Sequence, residues 1–398
     1  MRRREGLLAA GSAWLLPAMA RAASPAARPL TVWFTVQGAK ALRALGERFT
    51  ADTGVPVVVE TPDEGPQKYQ QASAAGKGPD IYVYAHDRIG EWIAGGLIAP
   101  VHPSAALRAD IDPLAWRGFT QGGRTWGYPY AIEAITLVYN RALIQTPPRS
   151  FDEVFLLDEQ LRAQGKRAIL WDYTNGYFTW PLLASLGGYA FLQRPDGSFD
   201  ARQTGITHPG ALAGARVLER LLREGRMPAG SGYAEMEAAI AQGRVAMMIN
   251  GPWSWVNLQR VGMDFGVARI PSVQGRPAAP FVGIKGVMIN RSSRQKELAQ
   301  EFIERHMLSP EGLRAIDNAE PIGAPASRAY LAALLADPHT GPRNAGNVAS
   351  ARDGQPTPHN PEMGRFWAAL KTSLTQLSEG RLGAEAALQA AQRRILQT

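Results

Sequence analysis

Apolar positions along the chain switch between two rhythms. Leu30 to Phe34 is a short apolar, β-branched run, after which Leu42, Leu45 and Phe49 recur at helical spacing until Gly54, and Val55 to Glu60 resumes strand character. That is a βαβ opening. Tyr69 lies in a further helix ending near Gly76, Gly78-Pro79 turns into a strand over Asp80 to Tyr84, and Asp87 opens a helix that stops at Gly95-Gly96. Strands alternating with helices predict an α/β fold with its sheet covered on both faces.

From Trp126 to Asn140 the pattern becomes one long extended stretch. Ser150 with Glu153 three residues on forms a capping box, so a helix begins there and ends at Gly165. Further helices are predicted over 208–224, 233–242, 294–307 (capped by Ser293), 310–317, 361–379 and 383–396. Strand-like runs lie between them at Ala168 to Trp171, Val245 to Asn250, Phe265 to Ile270 and Phe281 to Asn290. Gly341 to Asn360, rich in Pro, Gly and Asn, reads as a long surface loop. There is no internal repeat.

Composition narrows the class. With 398 residues, 45% of them apolar, the chain is long enough for about two or three domains with ordinary cores. The absence of cysteine removes disulfide scaffolds, thiolate metal sites and thiol catalysis. The formal charge is +8, yet the one compact basic run is Arg2 to Arg4 and the other cations are interleaved with acids, which disfavours nucleic acid as a partner. That basic run precedes a small, apolar stretch from Gly6 to Ala20 and an A-x-A site at Ala20-Arg21-Ala22, the arrangement of a signal peptide over residues 1–22. Pro17 and the shortness of the stretch argue against a membrane span. The paired arginines also suit a twin-arginine signal, so the export route stays open between that and the general one. Cleavage removes four Arg and one Glu and takes the formal charge from +8 to +5. The mature chain is expected to be soluble, since no later segment is apolar enough to cross a membrane.

Enzyme signatures are missing. The chain has no phosphate-cradling Gly-rich loop, no G-x-G-x-x-G after a strand, no G-x-S-x-G elbow and no H-E-x-x-H, and its six histidines are scattered. Neither a cofactor nor a metal is expected. Aromatic residues at strand ends are the stronger signal. Trp253 follows the Val245 to Asn250 strand through Gly251-Pro252, Tyr84 closes its strand beside Asp87 and Arg88, and Tyr177-Phe178-Thr179-Trp180 follows the strand-like Ala168 to Trp171. In open α/β sheets the carboxyl edge is where ligands sit. Rings beside carboxylates and guanidinium suit a sugar, whose C–H faces stack on aromatic planes while its hydroxyl rim takes charged partners. Each feature also has a plainer reading. Asp87 is suited to a helix start without any ligand, Glu133 to a solvated strand position, and Trp92, Trp116 and Trp126 to packing.

Several stretches together carry a resemblance: Gly78-Pro79-Asp80-Ile81, Ala85-His86-Asp87-Arg88, Glu133-Ala134, Tyr139-Asn140, Tyr177 to Pro181, Gly187 to Phe191, Ile249 to Trp253, Pro280 to Gly283 and Phe366-Trp367. In this order, over nearly all of the mature chain, they resemble the family-1 extracellular solute-binding proteins of bacterial ABC sugar importers, in particular those for maltose and maltodextrins. The resemblance implies a two-lobe periplasmic binding protein of type II, its discontinuous lobes joined by a multi-segment hinge. It assigns 23–131 with 285–332 to the N-terminal lobe and 132–284 with 333–398 to the C-terminal lobe. It further implies that Asp87, Arg88 and Glu133 hold sugar hydroxyls, that Tyr177, Trp253 and Trp367 stack on or line the rings, and that Tyr84, Ala85, Asn175, Phe178 and Tyr233 complete the site. The implied partners are an oligosaccharide and a membrane permease, for a periplasmic, monomeric, non-enzymatic protein.

The chain departs from the family where charge is concerned. The loop after the first strand, which usually carries an acidic residue and then a lysine, reads Thr35-Val36-Gln37, and Asn175 stands where a glutamate is usual, Gly176 for a proline and Tyr84 for a tryptophan. Losing charged hydroxyl partners weakens one subsite. Maltose is the first ligand expected, a longer maltodextrin or another α-linked oligosaccharide the next. A secreted glycoside hydrolase with Asp87 and Glu133 as its acid and nucleophile is the alternative.

Overall fold

A computed structural model describes residues 28–63, 65–194 and 198–397. The expected signal segment, residues 1–22, lies outside the described residues.

The opening folds as its pattern predicts. The Leu30–Trp33 strand leads into the helix Val36–Thr53, whose first turn is capped by the Thr35 hydroxyl accepting from the Gly38 amide. Gly54, at φ 75°, ends the helix by donating to the Thr50 carbonyl, a left-handed conformation that glycine adopts without strain. Leu42, Leu45 and Phe49 form its buried stripe.

Two sheets organise the chain. The first runs in the order Ala324–Pro325, Tyr128–Glu133, Phe281–Ile289, Ile81–Ala85, Leu30–Trp33, Val57–Glu60, with Gln355–Pro356 pairing the start of Phe281–Ile289. Leu30–Trp33 pairs Val57–Glu60 and Ile81–Ala85 in parallel, whereas Phe281–Ile289 runs antiparallel to both its long neighbours. The second sheet runs Phe265–Ala268, Thr136–Asn140, Val245–Asn250, Arg167–Leu170. One core, built on the second sheet, takes its buried side chains from 135–281 and 363–395, and the cores on the first sheet take theirs from 30–131 and 284–330. The Phe281–Ile289 strand begins in one core at Phe281, which stacks on Trp180 at 4.5 Å, and ends in the other at Val287 and Ile289.

Two predictions fail. Residues 341–353 are not a surface loop but a helix, Gly341–Asp353, with Pro342 tolerated in its first turn. Its buried face is polar: Asn344, Asn347 and Ser350 recur every three residues, Asn347 donating to the Ala134 carbonyl and Ser350 to that of Ile135. This helix braces the short link between Tyr128–Glu133 in one sheet and Thr136–Asn140 in the other. The helix expected over 294–307 begins instead at Lys296 and turns π-helical over Phe302–Met307. Ser293 does not cap it, because its hydroxyl donates to Asp80 Oδ1 at 2.6 Å and accepts from the Gln295 amide. Asp80 also takes both the amide and the hydroxyl of Thr31, so this acid of the Gly-Pro-Asp turn is a structural buckle.

Candidate functional site

The aromatic residues converge. The helix Gly176–Ala184 starts under an Asn175 cap, whose Oδ1 accepts from the Tyr177 amide, and this first turn presents Tyr177 and Phe178. Trp253 sits in the short turn Pro252–Ser254 after the Val245–Asn250 strand, and its ring folds back over Gly251 so closely that a Cβ at 251 would lie 2.1 Å from it. Glycine is required there by close approach rather than by backbone angle. Trp367 comes from the helix Met363–Ser378. Tyr177 is the centre of the group, its ring centroid 6.4 Å from Trp253, 6.4 Å from Trp367 and 5.6 Å from Phe178. Tyr233 orients Trp253: its hydroxyl accepts from the indole Nε1 at 3.0 Å and from Asn250 at 3.3 Å, and donates to Glu237 at 2.9 Å.

The first sheet contributes Tyr84 and Ala85, at the carboxyl end of Ile81–Ala85, then Asp87 and Arg88 in the single turn His86–Arg88. Tyr84 ends a stack, lying on Tyr82 at 5.7 Å and a 7° interplanar angle with Trp92 behind both. Asp87 reaches across to the aromatic group and accepts from Trp367 Nε1 at 3.4 Å. Burial pushes its carboxyl up, against the pull of Arg88 and the indole N–H. Arg88 turns to Glu91 at 2.8 Å, while its Nε is buried without a partner. Behind this turn His86 is buried, accepting the Ile284 amide at Nδ1 and placing Nε2 3.1 Å from the Thr357 carbonyl. Burial pushes its pKa down to about 3, so it is a neutral brace between two segments that pass from one core to the other.

The central charge is one that sequence reasoning missed. Lys285, half-way along Phe281–Ile289, places Nζ 2.9 Å from Glu320 Oε1, 3.0 Å from Glu133 Oε1 and 5.9 Å from the centroid of the Trp253 ring. Thr35 donates its hydroxyl to Glu320 Oε2. The loop read as having lost its charges is therefore tied to an acid at the end of the Pro310–Ala319 helix and to a lysine on the Phe281–Ile289 strand. Burial pushes the Glu133 carboxyl up despite Lys285, whereas at Glu320 Lys285 and Thr35 overcome burial and hold the carboxyl low. Burial opposes the charge on Lys285, and Glu133 and Glu320 more than restore it. The signal available in the sequence was a lone lysine in the apolar run Phe281-Val282-Gly283-Ile284-Lys285-Gly286-Val287.

Asn175 is exposed and serves as a cap, and its neighbour Asp172 has its carboxyl raised by burial against bonds from Thr174 and Asn175. Trp92 and Trp126 are buried in the first-sheet core, and Trp116 packs against it, as the packing reading expects. Cavities of about 390 Å³ around Ser185, Arg276 and Asp353, and about 230 Å³ around Phe155 and Arg220, do not include the aromatic group.

Residues 35–313 match the family model of bacterial extracellular solute-binding proteins. The chain belongs to this family. Similar members include the galactooligosaccharide-binding protein of Bacillus subtilis, 25% identical over 90% of this chain and 86% of that one. The maltotriose-binding protein of Pyrococcus abyssi is 26% identical over 87% of this chain and 77% of that one, and a maltooligosaccharide ABC transporter solute-binding lipoprotein of Streptococcus pneumoniae is 25% identical over 90% and 86%. The fold is that of a two-lobe binding protein of this extracellular family. These relatives are binding proteins, and the glycoside hydrolase alternative finds no support among them.

Proposed function

We propose that this solute-binding protein is the periplasmic, non-enzymatic subunit of an ABC importer, capturing a neutral α-linked oligosaccharide between its lobes and delivering it to a membrane permease. Maltose is the first ligand expected and a longer maltodextrin the next. The observation that carries the reading is the meeting of Tyr177, Trp253 and Trp367, from around the second sheet, with Asp87 and Lys285 of the first. We assign 23–131 with 285–332 to one lobe and 132–284 with 333–398 to the other. Residues 1–22 are a cleaved signal, and the mature protein is a monomer.

A pyranose slotted against these rings exchanges water for C–H contacts. Covering one face of a tryptophan, about half of its ~200 Å², is worth roughly 2–3 kcal/mol. A hydroxyl bonded to a charged group adds roughly 1.5–3 kcal/mol. Two or three of each give micromolar affinity, about −8 kcal/mol, after the cost of association. Bonds to both walls form together only in the closed state, so sugar shifts the open–closed equilibrium toward the form a permease receives.

Thermal unfolding with maltose, maltotriose and a galactooligosaccharide at millimolar concentration tests this. At a hundredfold excess over Kd a ligand adds about 2.7 kcal/mol, a rise of about 3–4 °C for a chain of this length, with no new reducing ends. An unchanged melting temperature with all three sugars contradicts sugar binding, and release of reducing ends contradicts the non-enzymatic role.

A further inference from the structure

We propose that Lys285 is the cation of the sugar site, held between Glu133 and Glu320 so that its remaining N–H reaches a sugar hydroxyl lying on Trp253. This rests on the sugar-binding reading and adds a binding residue to it. In the sheet register Lys285 stands opposite Ala85 on one side and Ala131 on the other. Directly opposed residues share a face, so the lysine rises between two methyl groups that leave its flanks open. The register slips between Lys285 and Gly286, a bulge of the kind that re-aims a side chain beside a site.

An ammonium has three donors. Glu320 Oε1 takes one at 2.9 Å and Glu133 Oε1 stands 3.0 Å from Nζ as an ion-pair partner off the hydrogen-bond direction, which leaves a donor for the space between Nζ and the Trp253 ring 5.9 Å away. Acceptor capacity is left over as well, since Glu133 Oε1 is buried without an aligned hydrogen-bond donor, and the Tyr130 hydroxyl, buried nearby, also has no partner. A sugar hydroxyl accepts from Lys285 and donates to Glu133 at once. Glu320 and Thr35 are positioning residues that hold the ammonium from behind.

The charge count selects the ligand class. Four carboxylates, Asp87, Glu91, Glu133 and Glu320, meet two cations here, Lys285 and Arg88. A neutral polyhydroxyl chain supplies hydrogen-bond donors to this surplus, whereas a uronate or phosphorylated sugar is repelled.

Titration calorimetry of wild type and Lys285→Met with maltotriose and its monodeoxy analogues decides the matter. The substitution is expected to weaken maltotriose tenfold to a hundredfold, roughly. For one analogue, lacking the contacted hydroxyl, the loss should shrink below about threefold, since wild type has already forfeited that bond. A merely structural lysine weakens all analogues alike, and that result, or no weakening, overturns the proposal. The double variant Lys285→Met/Glu320→Met, which leaves fewer unpaired carboxylates, should show the same selective loss if the single variant folds poorly. Trp253→Ala separates the two claims. Weakened binding there with unaltered Lys285→Met affinity overturns the role of Lys285 and leaves the sugar site standing, while a wild type that binds no oligosaccharide overturns both.

Discussion

The two walls of the candidate cleft are built on opposite principles. The wall from the second sheet is aromatic, and Tyr177, Trp253, Trp367, Phe178 and Tyr233 meet one another through ring contacts of 5.6–6.4 Å and the Tyr233 hydroxyl, which accepts from Trp253. The wall from the first sheet is ionic, and each charge there is held by another charge or an indole: Lys285 by Glu133 and Glu320, Arg88 by Glu91, Asp87 by Trp367. Rings without a formal charge cost little to leave facing a cleft, and Tyr177, Tyr233, Trp253 and Trp367 are partly exposed here. Buried charges are costly unless paired. The aromatic wall is thus suited to affinity for any sugar face, and the ionic wall to choosing among hydroxyl patterns while carrying part of the fold's stability.

That contrast can be broken most severely at Lys285. Lys285→Met leaves Glu133 and Glu320 facing each other and should lower stability by about 3–5 kcal/mol, read as a lower denaturation midpoint. A midpoint within experimental error of wild type would mean that the ionic wall is not structural. Trp253→Ala is the complementary case. It should weaken sugar binding by about 2–3 kcal/mol, some 30- to 150-fold, with a smaller stability loss than Lys285→Met; equal affinity in a folded variant would return Trp253 to core packing.

Behind the ionic wall, His86 links the contrast to pH. Its folded-state pKa, about 3, lies below the ordinary value near 6.5. The unfolded chain therefore takes up the proton first, and stability present above pH ~6.5 is lost as pH falls toward about 3. Each unit in that window costs about 1.4 kcal/mol at most. His86→Gln should flatten the decline in unfolding free energy between pH 7 and 5, and an unaltered slope would place the titrating group elsewhere. The smallest effect is expected at Asn175. Removing a cap costs about 1 kcal/mol, so Asn175→Ala should lower stability by that amount and affect sugar affinity less than Trp253→Ala does.

The aromatic wall was easier to read in the sequence than the ionic one, for physical reasons. Rings at strand ends follow from local pattern: Tyr84 closes a strand and Trp253 opens a turn after Gly251, and both are visible within a few residues. The ion cluster joins Thr35, Glu133, Lys285 and Glu320, which are separated by up to 285 residues, and their meeting is set by sheet order for Glu133 and Lys285 and by helix packing for Thr35 and Glu320 rather than by spacing. The alternating strands and helices of the first half were legible through buried stripes such as Leu42, Leu45 and Phe49. The Gly341–Asp353 helix was not, because its buried stripe is Asn344, Asn347 and Ser350 and its pattern is polar where helix prediction looks for apolar residues. Ser293 misled in a similar way, since its hydroxyl found a stronger partner in Asp80 than the helix offered.

A crystal structure with maltotriose bound tests the central claim most directly. The account predicts an intact trisaccharide between the two sheets, a ring face against Trp253 or Tyr177, and a hydroxyl within hydrogen-bond distance of Lys285 Nζ. Sugar seated outside that cleft, with these indoles covered by protein alone, would contradict it.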